Sequence, residues 1–299
     1  PLLREKEYGN VAEEQYITWF DNFAEHFARI LRRNGSLVID LGGAYLRGRP
    51  IRSIYQYELL VHLVRRRGFF LAQEFFHYNP ARLPGPAQWV SIERTRVKDS
   101  VNVVWWLSKS DAPKANNRNV LQAYSPSMEN LLRNGYTPKL RPSGHDISNA
   151  FQRDNGGAIP PNLLSFANTN SNSQYLRHCR ALGLKAHPAR FPAELPSFFI
   201  RLLTERGDTV LDPFAGSLTT GFAAATLARR WICAEQNAEY VQAGMTRFWD
   251  RLTSRGPGEF QIRKRLDPVI QNWLGRATAA KRRMPGVEAS LDVRPSSPG

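Results

Sequence analysis

The sequence of 299 residues predicts an α/β fold, in which a doubly wound parallel sheet is closed by a hairpin pair of strands. Three observations support this fold class. Short apolar segments alternate with longer amphipathic segments in the first third of the chain, and the same alternation returns after residue 182. Between them lies a polar stretch rich in Asn, Ser, Gly and Pro. The chain is long enough for one large domain with a substantial insertion.

The first third of the chain predicts two helices and three strands. Residues 11–31 favour an amphipathic helix, because Tyr16, Phe20, Phe23, Phe27 and Ile30 recur at intervals of three or four. The elements predicted after it are a strand over 36–40 that ends in Asp40, a tight turn at Gly42-Gly43, a helix over 54–67, and strands over 69–77 and 101–108.

The middle of the chain, residues 110–181, predicts a folded but loop-rich subdomain. Apolar periodicity fades there, and the run 168–173 is wholly polar. A long irregular stretch inside a compact protein is usually functional or disordered. Possible anchors still recur, which favours a folded subdomain: Tyr124, Leu131, Tyr136, Phe151, Leu163 and Tyr175.

The last part of the chain returns to the α/β alternation. The predicted elements are helices over 196–204, 218–229 and 238–252, with strands over 208–211 and 231–234. A basic tail begins at Arg263, and its end, 294–299, is expected to be disordered. The predicted division is therefore 1–109 and 182–262 for the two parts of one α/β domain, 110–181 for an insertion, and 263–299 for the tail.

The charge of the chain indicates a polyanionic partner. Lys and Arg total 41 against 26 Asp and Glu, a formal net charge of +15. Nucleic acid is the commonest partner for such a surplus, although a basic protein kept soluble by its charge is an alternative.

Other classes of protein are disfavoured. No run of 18 apolar residues predicts a membrane span, and residues 1–7 have no signal-peptide core. Only two cysteines occur, Cys179 and Cys233, far apart and without metal-ligand spacing, which fits a reducing cytoplasm rather than a disulfide or zinc framework. The spacing of His145, His178 and His187 matches no metal-ligand pattern, so we expect no metal.

The strongest local signal is the segment 210–221, VLDPFAGSLTTG. An apolar strand leads to Asp212, a turn with Gly216 allows close approach to a ligand, and a helix follows. Glu235 stands 23 residues after Asp212, at the end of the next predicted strand, where it can accept hydrogen bonds from two ribose hydroxyls. The alternative is a simple glycine turn in which Asp212 caps the helix. Because G-x-G-x-x-G and a phosphate-binding Lys are missing, a nucleoside cofactor without a pyrophosphate fits best.

Residues 212–220, DPFAGSLTT, resemble the cofactor loop of DNA amino-methyltransferases, D-P-F-x-G-S-G-T-T, with Leu218 in place of the second glycine. Residues 185–196 resemble the family motif at the methionine end of the cofactor. The resemblance implies a Rossmann-like S-adenosylmethionine-dependent methyltransferase sheet of the permuted β type with a loop-rich target-recognition insertion. The implied cofactor residues are Asp212, Pro213, Phe214, Ala215, Gly216, Ser217, Thr219, Thr220 and Glu235, together with His187, Pro188, Arg190 and Phe191.

The similarity is closer to PvuII-type cytosine-N4 methyltransferases of restriction-modification systems. It is carried by residues 7–10, 40–43, 97–99, 101–109, 141–146 and 154–164. It implies methylation of cytosine N4 in duplex DNA at CAGCTG, and a cognate restriction endonuclease as a possible partner. Adenine-N6 methylation, or a catalytically incomplete DNA-binding chain, are the alternatives.

The family motif for catalysis, Ser/Asp/Asn-Pro-Pro-Tyr/Phe, has no full match in residues 1–299. Ser125-Pro-Ser127 lacks the second proline, and residues 159–162, IPPN, lack the polar first and aromatic last positions. In PvuII-type relatives this tetrapeptide stands just before the segment that matches Pro1. We therefore expect it upstream of Pro1, and the 299-residue chain alone to be inactive.

Asp40 is the candidate catalytic residue within the chain. It ends a strand expected beside the base pocket, where its carboxylate would accept a hydrogen bond from the target amine. The alternative is that it satisfies the Gly42-Gly43 turn.

The target amine lies inside the base stack, so the base must be flipped at a cost of roughly a few kcal/mol. The middle region carries residue types suited to reading bases, although polar loops with a structural role are the alternative. The candidates are Arg141, Ser143, His145, Asn155 and Asn162.

Overall fold

A computed structural model describes residues 11–135, 153–168 and 173–248 of the chain. Its helices are α1 (Glu13–Ile30), α2 (Tyr55–Arg65), α3 (Pro126–Asn134), α4 (Gln174–Ala181), α5 (Glu194–Leu203), α6 (Thr219–Thr226) and α7 (Ala238–Met245). Its strands are β1 (Ser36–Gly42), β2 (Phe70–Tyr78), β3 (Val101–Ser108), β4 (Leu163–Ser165), β5 (Thr209–Asp212) and β6 (Arg230–Cys233). The α/β class is confirmed. Among the described helices, none has the length and apolarity that crossing a membrane requires.

Within residues 11–135, 153–168 and 173–248 the strands form two sheets, whereas the sequence predicted a single, mostly parallel sheet. The first has the order β1-β3-β2-β4, and the second contains β5 and β6 in parallel. β3 lies between β1 and β2 and is antiparallel to both, so β1 and β2 run parallel to each other. Their carboxyl ends therefore lie on the same edge of the sheet. The expected hairpin pair is confirmed as β2 and β3.

One side of β1 and one side of β5 remain without a strand partner among the described residues. β1 pairs only with β3, and β5 pairs only with β6. Leu211 of β5 and Ile232 of β6 are partly exposed, in contrast to Val104 of the central strand β3, which is fully buried. β4 and β6 are likewise paired on one side only among the described residues, so each sheet has two edge strands.

Helix α5 packs against both sheets. Phe199, Leu202 and Leu203 share one apolar cluster with Phe75 of β2 and with β3. On its other side, Ile200 joins a cluster with the alanines of α6. A helix between two layers needs apolar residues on two of its faces, and α5 has them.

The insertion predicted at 110–181 is anchored to the α/β core in its described parts. β4 pairs in parallel with β2, and Val120 lies in the cluster under α5. Ser125 does not belong to a catalytic motif here: its side chain caps α3 by accepting a hydrogen bond from the Met128 amide, 3.2 Å away. The domain boundaries stay a prediction.

Two predicted helices end earlier than expected. α6 ends at Thr226 rather than at 229, because Ala228 adopts a left-handed φ of 58°. α7 ends at Met245 and passes into a tighter helical turn, Thr246–Phe248. The rest of the predicted helix to 252, and the tail, lie outside the described residues.

Candidate functional site

The glycine turn after β5 is held in shape by hydrogen bonds within the turn and to the end of β6. Asp212 Oδ1 accepts a hydrogen bond from the Phe214 amide at 3.0 Å, and the Leu218 amide donates to the Ala215 carbonyl at 2.8 Å. The Ala215 amide in turn donates to Ala234 at the end of β6, at 3.0 Å. The turn is therefore attached to both strands of the second sheet.

Glu235 lies directly beneath this turn, as the spacing in the sequence predicted. Its Oε2 accepts from the Gly216 amide and its Oε1 from the Asn237 amide, both at 2.9 Å. A carboxylate has about four lone-pair sites. Two of these sites remain for hydroxyl donors, and their orientation is fixed by the two amides.

The two carboxylates of this site are close enough to influence each other. Burial raises the pKa of Asp212, and the negative charge of Glu235 adds to the rise. The Thr220 hydroxyl and the Phe214 amide act in the opposite direction by hydrogen bonding to Asp212. Asp212 thus holds the turn by hydrogen bonding, whereas Glu235 keeps hydrogen-bond acceptor sites free for a ligand.

Gly216 packs against the ring of His187. Its φ of +49° is left-handed, and a Cβ on it would lie 3.3 Å from that ring. The His187 amide donates to the Tyr175 hydroxyl at 2.9 Å, and His187 Nδ1 lies 2.5 Å from the Ala189 carbonyl oxygen. The ring edge also meets Tyr240, with centroids 4.5 Å apart. The segment 185–196 and the glycine turn therefore form one wall.

Arg190, also predicted for cofactor binding, stabilises that segment from within. Its Nη1 donates to the His187 carbonyl at 2.7 Å, and the Asn168 side chain donates to the Arg190 carbonyl at 2.6 Å. Pro188 and Phe191 are exposed beside it. His187 contacts the glycine turn and Arg190 contacts His187, whereas direct contact with a cofactor stays a prediction for all four residues.

Arg247 and Tyr175 support the turn; the sequence indicated Tyr175 only as an anchor of the middle region and did not indicate Arg247. Arg247 Nε donates to the Ser217 carbonyl at 2.7 Å, and its guanidinium lies 4.3 Å from the centre of the Tyr175 ring. Burial lowers the pKa of Arg247 to about 10, which leaves it charged at neutral pH. Ser217 and Thr219 are buried and hydrogen-bond each other at 2.9 Å. No sequence spacing pointed to Arg247, because its partner lies 30 residues away.

Asp40 lies in a polar network at the carboxyl edge of the first sheet. Its Oδ1 accepts from the Asn102 side chain at 3.0 Å, and its Oδ2 lies 3.5 Å from His77 Nδ1. His77 is buried, and its Nε2 lies 3.3 Å from the Phe166 carbonyl oxygen. Asn102 in turn accepts from Arg82 at 2.9 Å. Asn102 and His77 were not predicted, because only strand pairing brings them beside Asp40.

A chain of ring contacts connects the glycine turn with the end of β1. Phe214 packs 5.9 Å from Trp19 of α1, and Trp19 lies 5.6 Å from Tyr16. Tyr16 meets Tyr55 edge to face at 4.8 Å, and the Tyr55 hydroxyl donates to the Gly42 carbonyl at 2.6 Å. α1 therefore joins the cofactor turn to the strand that carries Asp40.

The candidates for reading DNA are only partly described. Arg141, Ser143 and His145 lie outside the described residues. Asn155 is exposed, and its side chain donates to the Arg153 carbonyl at 3.1 Å. The Asn162 side chain donates to the Glu74 carbonyl at 3.1 Å, a contact that positions β4 against β2. A base contact by either Asn stays a prediction.

Within the described ranges, no group of three or more His, Cys, Asp or Glu side chains is arranged to hold a metal ion.

Comparisons with known proteins agree with the resemblance seen in the sequence. The family model described as DNA methylase matches residues 3–246. Type II methyltransferase M.PvuII of Proteus hauseri is 51% identical over 252 residues, which cover 83% of this chain and 75% of that protein. Type II methyltransferase M.BglI of Bacillus subtilis is 50% identical over 56 residues, 19% of this chain and 16% of that protein. The solved structure of the PvuII DNA methyltransferase (cytosine-N4-specific) has a TM-score of 0.65 and 40% identity, covering 93% of this chain and 82% of its own.

Proposed function

The chain belongs to the DNA methylase family, and from that membership we propose that it methylates the N4 amine of cytosine in duplex DNA, using S-adenosylmethionine. The identity to M.PvuII across most of both chains supports this choice. CAGCTG is the recognition sequence that the similarity suggests, with a restriction endonuclease for the same site as a possible partner. Adenine-N6 methylation is the alternative within the family.

The single observation that carries the proposal is the glycine turn fixed on Glu235. The residues present fit an adenosyl ligand: Glu235 retains acceptor sites for two ribose hydroxyls, and Gly216 leaves room that a side chain would fill. Pro188 and Phe191 line the adjoining segment, where the methionine end of the ligand is expected. When bound, the cofactor supplies an electrophilic methyl group on a sulfonium.

The role that we propose for Asp40 is to accept a hydrogen bond from the target amine. The lone pair of that amine is delocalised into the base, and a hydrogen bond to an amino proton makes the nitrogen more tetrahedral. Asn102 uses one lone-pair site of Asp40, which leaves others for the amine. Because His77 and Asn102 restrict its rotation, the carboxylate is oriented before the base arrives.

Calorimetry with S-adenosylmethionine tests the cofactor site in the full-length protein. Glu235→Gln removes a charged acceptor, so we expect binding to weaken roughly 10- to 100-fold. Gly216→Ala is expected to weaken it as well, because the new Cβ meets the His187 ring in a left-handed backbone. Gly135→Ala is the matched control: its φ is +76°, and nothing lies within 4 Å of the added Cβ. Wild-type protein that is folded and gives no binding heat contradicts the proposal.

Mass spectrometry of hydrolysed DNA tests the reaction and the target base. The full-length protein should produce N4-methylcytosine in a duplex with CAGCTG, and much less in a shuffled duplex. N6-methyladenine would establish the alternative within the family. DNA binding without any methylated base would instead favour a catalytically incomplete DNA-binding chain.

A further inference from the structure

Two loops leave the same edge of the first sheet on which Asp40 lies. The first, residues 43–54, follows β1, and the second, residues 79–100, connects β2 to β3. β1 and β2 are parallel, because β3 is antiparallel to each of them. Both loops therefore begin at the carboxyl edge, and together they are called the rim surface below.

The rim surface carries a concentrated positive charge. It contains seven Arg or Lys side chains and two acidic ones, a net charge of +5 within a chain whose total is +15. One of the acids, Asp99, is paired with Arg52. The basic residues are Arg47, Arg49, Arg52, Arg82, Arg94, Arg96 and Lys98, and all seven are exposed.

Contacts between the two loops make them one surface. Besides the pair of Arg52 with Asp99, Arg96 Nη2 donates to the Pro50 carbonyl at 3.0 Å. The rings of Tyr45 and Trp89 pack with centroids 5.1 Å apart, and Trp89 is buried. A loop pair held by a buried aromatic contact presents its outer side chains in a fixed arrangement.

Three of the arginines are available to an external partner. The side chains of Arg47, Arg49 and Arg94 have no hydrogen bond or ion pair within residues 11–135, 153–168 and 173–248. The guanidiniums of Arg67 and Arg247, by contrast, are bound to groups of the protein itself. An exposed guanidinium without a protein partner is suited to bidentate contact with phosphate.

The rim surface adjoins the network around Asp40. Arg82 donates to Asn102 at 2.9 Å, and Asn102 donates to Asp40 at 3.0 Å. The positive charge is therefore two hydrogen bonds away from the carboxylate expected to contact the target amine. A phosphate bound here would therefore be that of the target nucleotide or of a nucleotide close to it.

We propose that the rim surface binds the sugar–phosphate backbone of duplex DNA beside the target nucleotide, with Arg47, Arg49 and Arg94 as phosphate contacts. The inference rests on the proposed function, since it takes duplex DNA as the substrate. It adds a contact surface outside the 110–181 insertion. Contacts to phosphate hold the strand and carry no sequence information.

The test compares two triple variants of the full-length protein with equal loss of charge. The rim variant is Arg47→Gln, Arg49→Gln, Arg94→Gln. The control is Arg33→Gln, Arg65→Gln, Arg66→Gln, whose exposed residues lie just before β1 and β2 begin, at the opposite edge of the sheet. Fluorescence anisotropy gives the dissociation constant for a CAGCTG duplex and a shuffled duplex at several salt concentrations. Circular dichroism and binding of S-adenosylmethionine verify that both variants are folded.

The rim variant should lower the slope of log K against log salt by about 2 to 3 in magnitude. Its affinity at 0.1 M salt should fall at least about tenfold for both duplexes, which leaves their ratio unchanged. The control should leave the salt slope unchanged and should change the affinity by no more than about twofold. A rim variant that matches the control overturns the inference and leaves the proposed function intact. Wild-type protein that fails to bind either duplex overturns the proposed function itself.

Discussion

Leu218 shows how a single residue departs from a family pattern at no structural disadvantage. It adopts a left-handed conformation, φ 55° and ψ 27°, at the start of α6, which explains why the family usually has glycine there. Its side chain is buried against Gly244 of α7, where a Cβ would lie 2.5 Å from Leu218 Cγ. Because Gly244 leaves room for the leucine side chain, burial of Leu218 offsets the backbone strain.

Gly244→Ala should therefore destabilise the protein by about 1–3 kcal/mol, because its methyl group overlaps Leu218. In a Leu218→Ala background the overlap with Cγ disappears, and the same substitution should cost much less. Urea unfolding of the four proteins gives the coupling energy, which we expect to exceed about 1 kcal/mol. Strictly additive effects would show that the two positions do not share this space.

Asp40→Asn keeps the shape of the side chain and removes its charge. We expect single-turnover methyl transfer in the full-length protein to fall by about 10²- to 10⁴-fold. DNA affinity, measured by anisotropy, should stay within about threefold, because the contacts proposed for DNA binding lie elsewhere, on the rim surface and in the insertion. Similar losses in both measurements would instead assign Asp40 to support of the Gly42-Gly43 turn.

At the scale of elements, α1 and α2 are joined by an ionic cluster around Asp21. His62 Nε2 and Arg67 Nε lie 2.6 and 2.5 Å from Asp21 Oδ1. The hydrogen bond from Arg67 is the main cause that lowers the pKa of Asp21, from its ordinary value of 3.8 to about 2. A carboxylate with a depressed pKa stabilises the folded state above its unfolded pKa, and this contribution disappears as the pH falls.

Asp21→Asn should thus lower the free energy of unfolding by about 1–2 kcal/mol at pH 6–7, after solvent screening of a partly exposed pair. The difference from wild type should shrink as the pH falls from about 4 to 2. Urea unfolding across this range measures it, with the exposed Asp111→Asn as control. A difference that is constant with pH would contradict a role for the charge.

The position of helix α5 between the two sheets suggests that they unfold together. Phe199 is 5% exposed and meets Phe75 edge to face at 5.1 Å, whereas Ile200 packs on α6. Phe199→Ala should cost about 3–5 kcal/mol. Hydrogen exchange should become faster in β3 and also in β6, because the helix supports both sheets. Val61→Ala, on an exposed position of α2, is the control. Faster exchange confined to the first sheet would show that the sheets unfold independently.

The sequence predicted the elements better than their arrangement. Helix α1 was evident from five apolar residues at helical spacing, and the bounds of β3 were predicted correctly. α3 and α4 were missed because each has only eight or nine residues within a polar stretch, although each carries apolar residues at helical spacing, such as Tyr175 and Cys179 in α4. The antiparallel pairing of β1 with β3 was not visible either, since no local pattern records which strand lies next to which.

At the scale of the whole molecule, the candidate site also divides into contacts that the sequence predicted and contacts that it did not. The spacing of Asp212, Gly216 and Glu235 predicted that the three residues lie together, and they do, because all three belong to one strand-turn-helix-strand unit. His77 and Arg247 were missed because each acts through a residue on a distant element. A motif in the sequence reports contacts within one unit, whereas contacts between units require the fold.

The open sides of β1 and β5 have a practical consequence for purified protein. Among the described residues neither edge has a strand partner, so each is a place where another extended peptide can pair. At low ionic strength the charge of +15 keeps molecules apart, and salt removes that repulsion. Light scattering should therefore increase with concentration above about 0.3 M salt, with slower hydrogen exchange in β1 as the mark of edge pairing. Storage conditions for this protein should accordingly be chosen for their effect on charge screening as much as for their effect on folding.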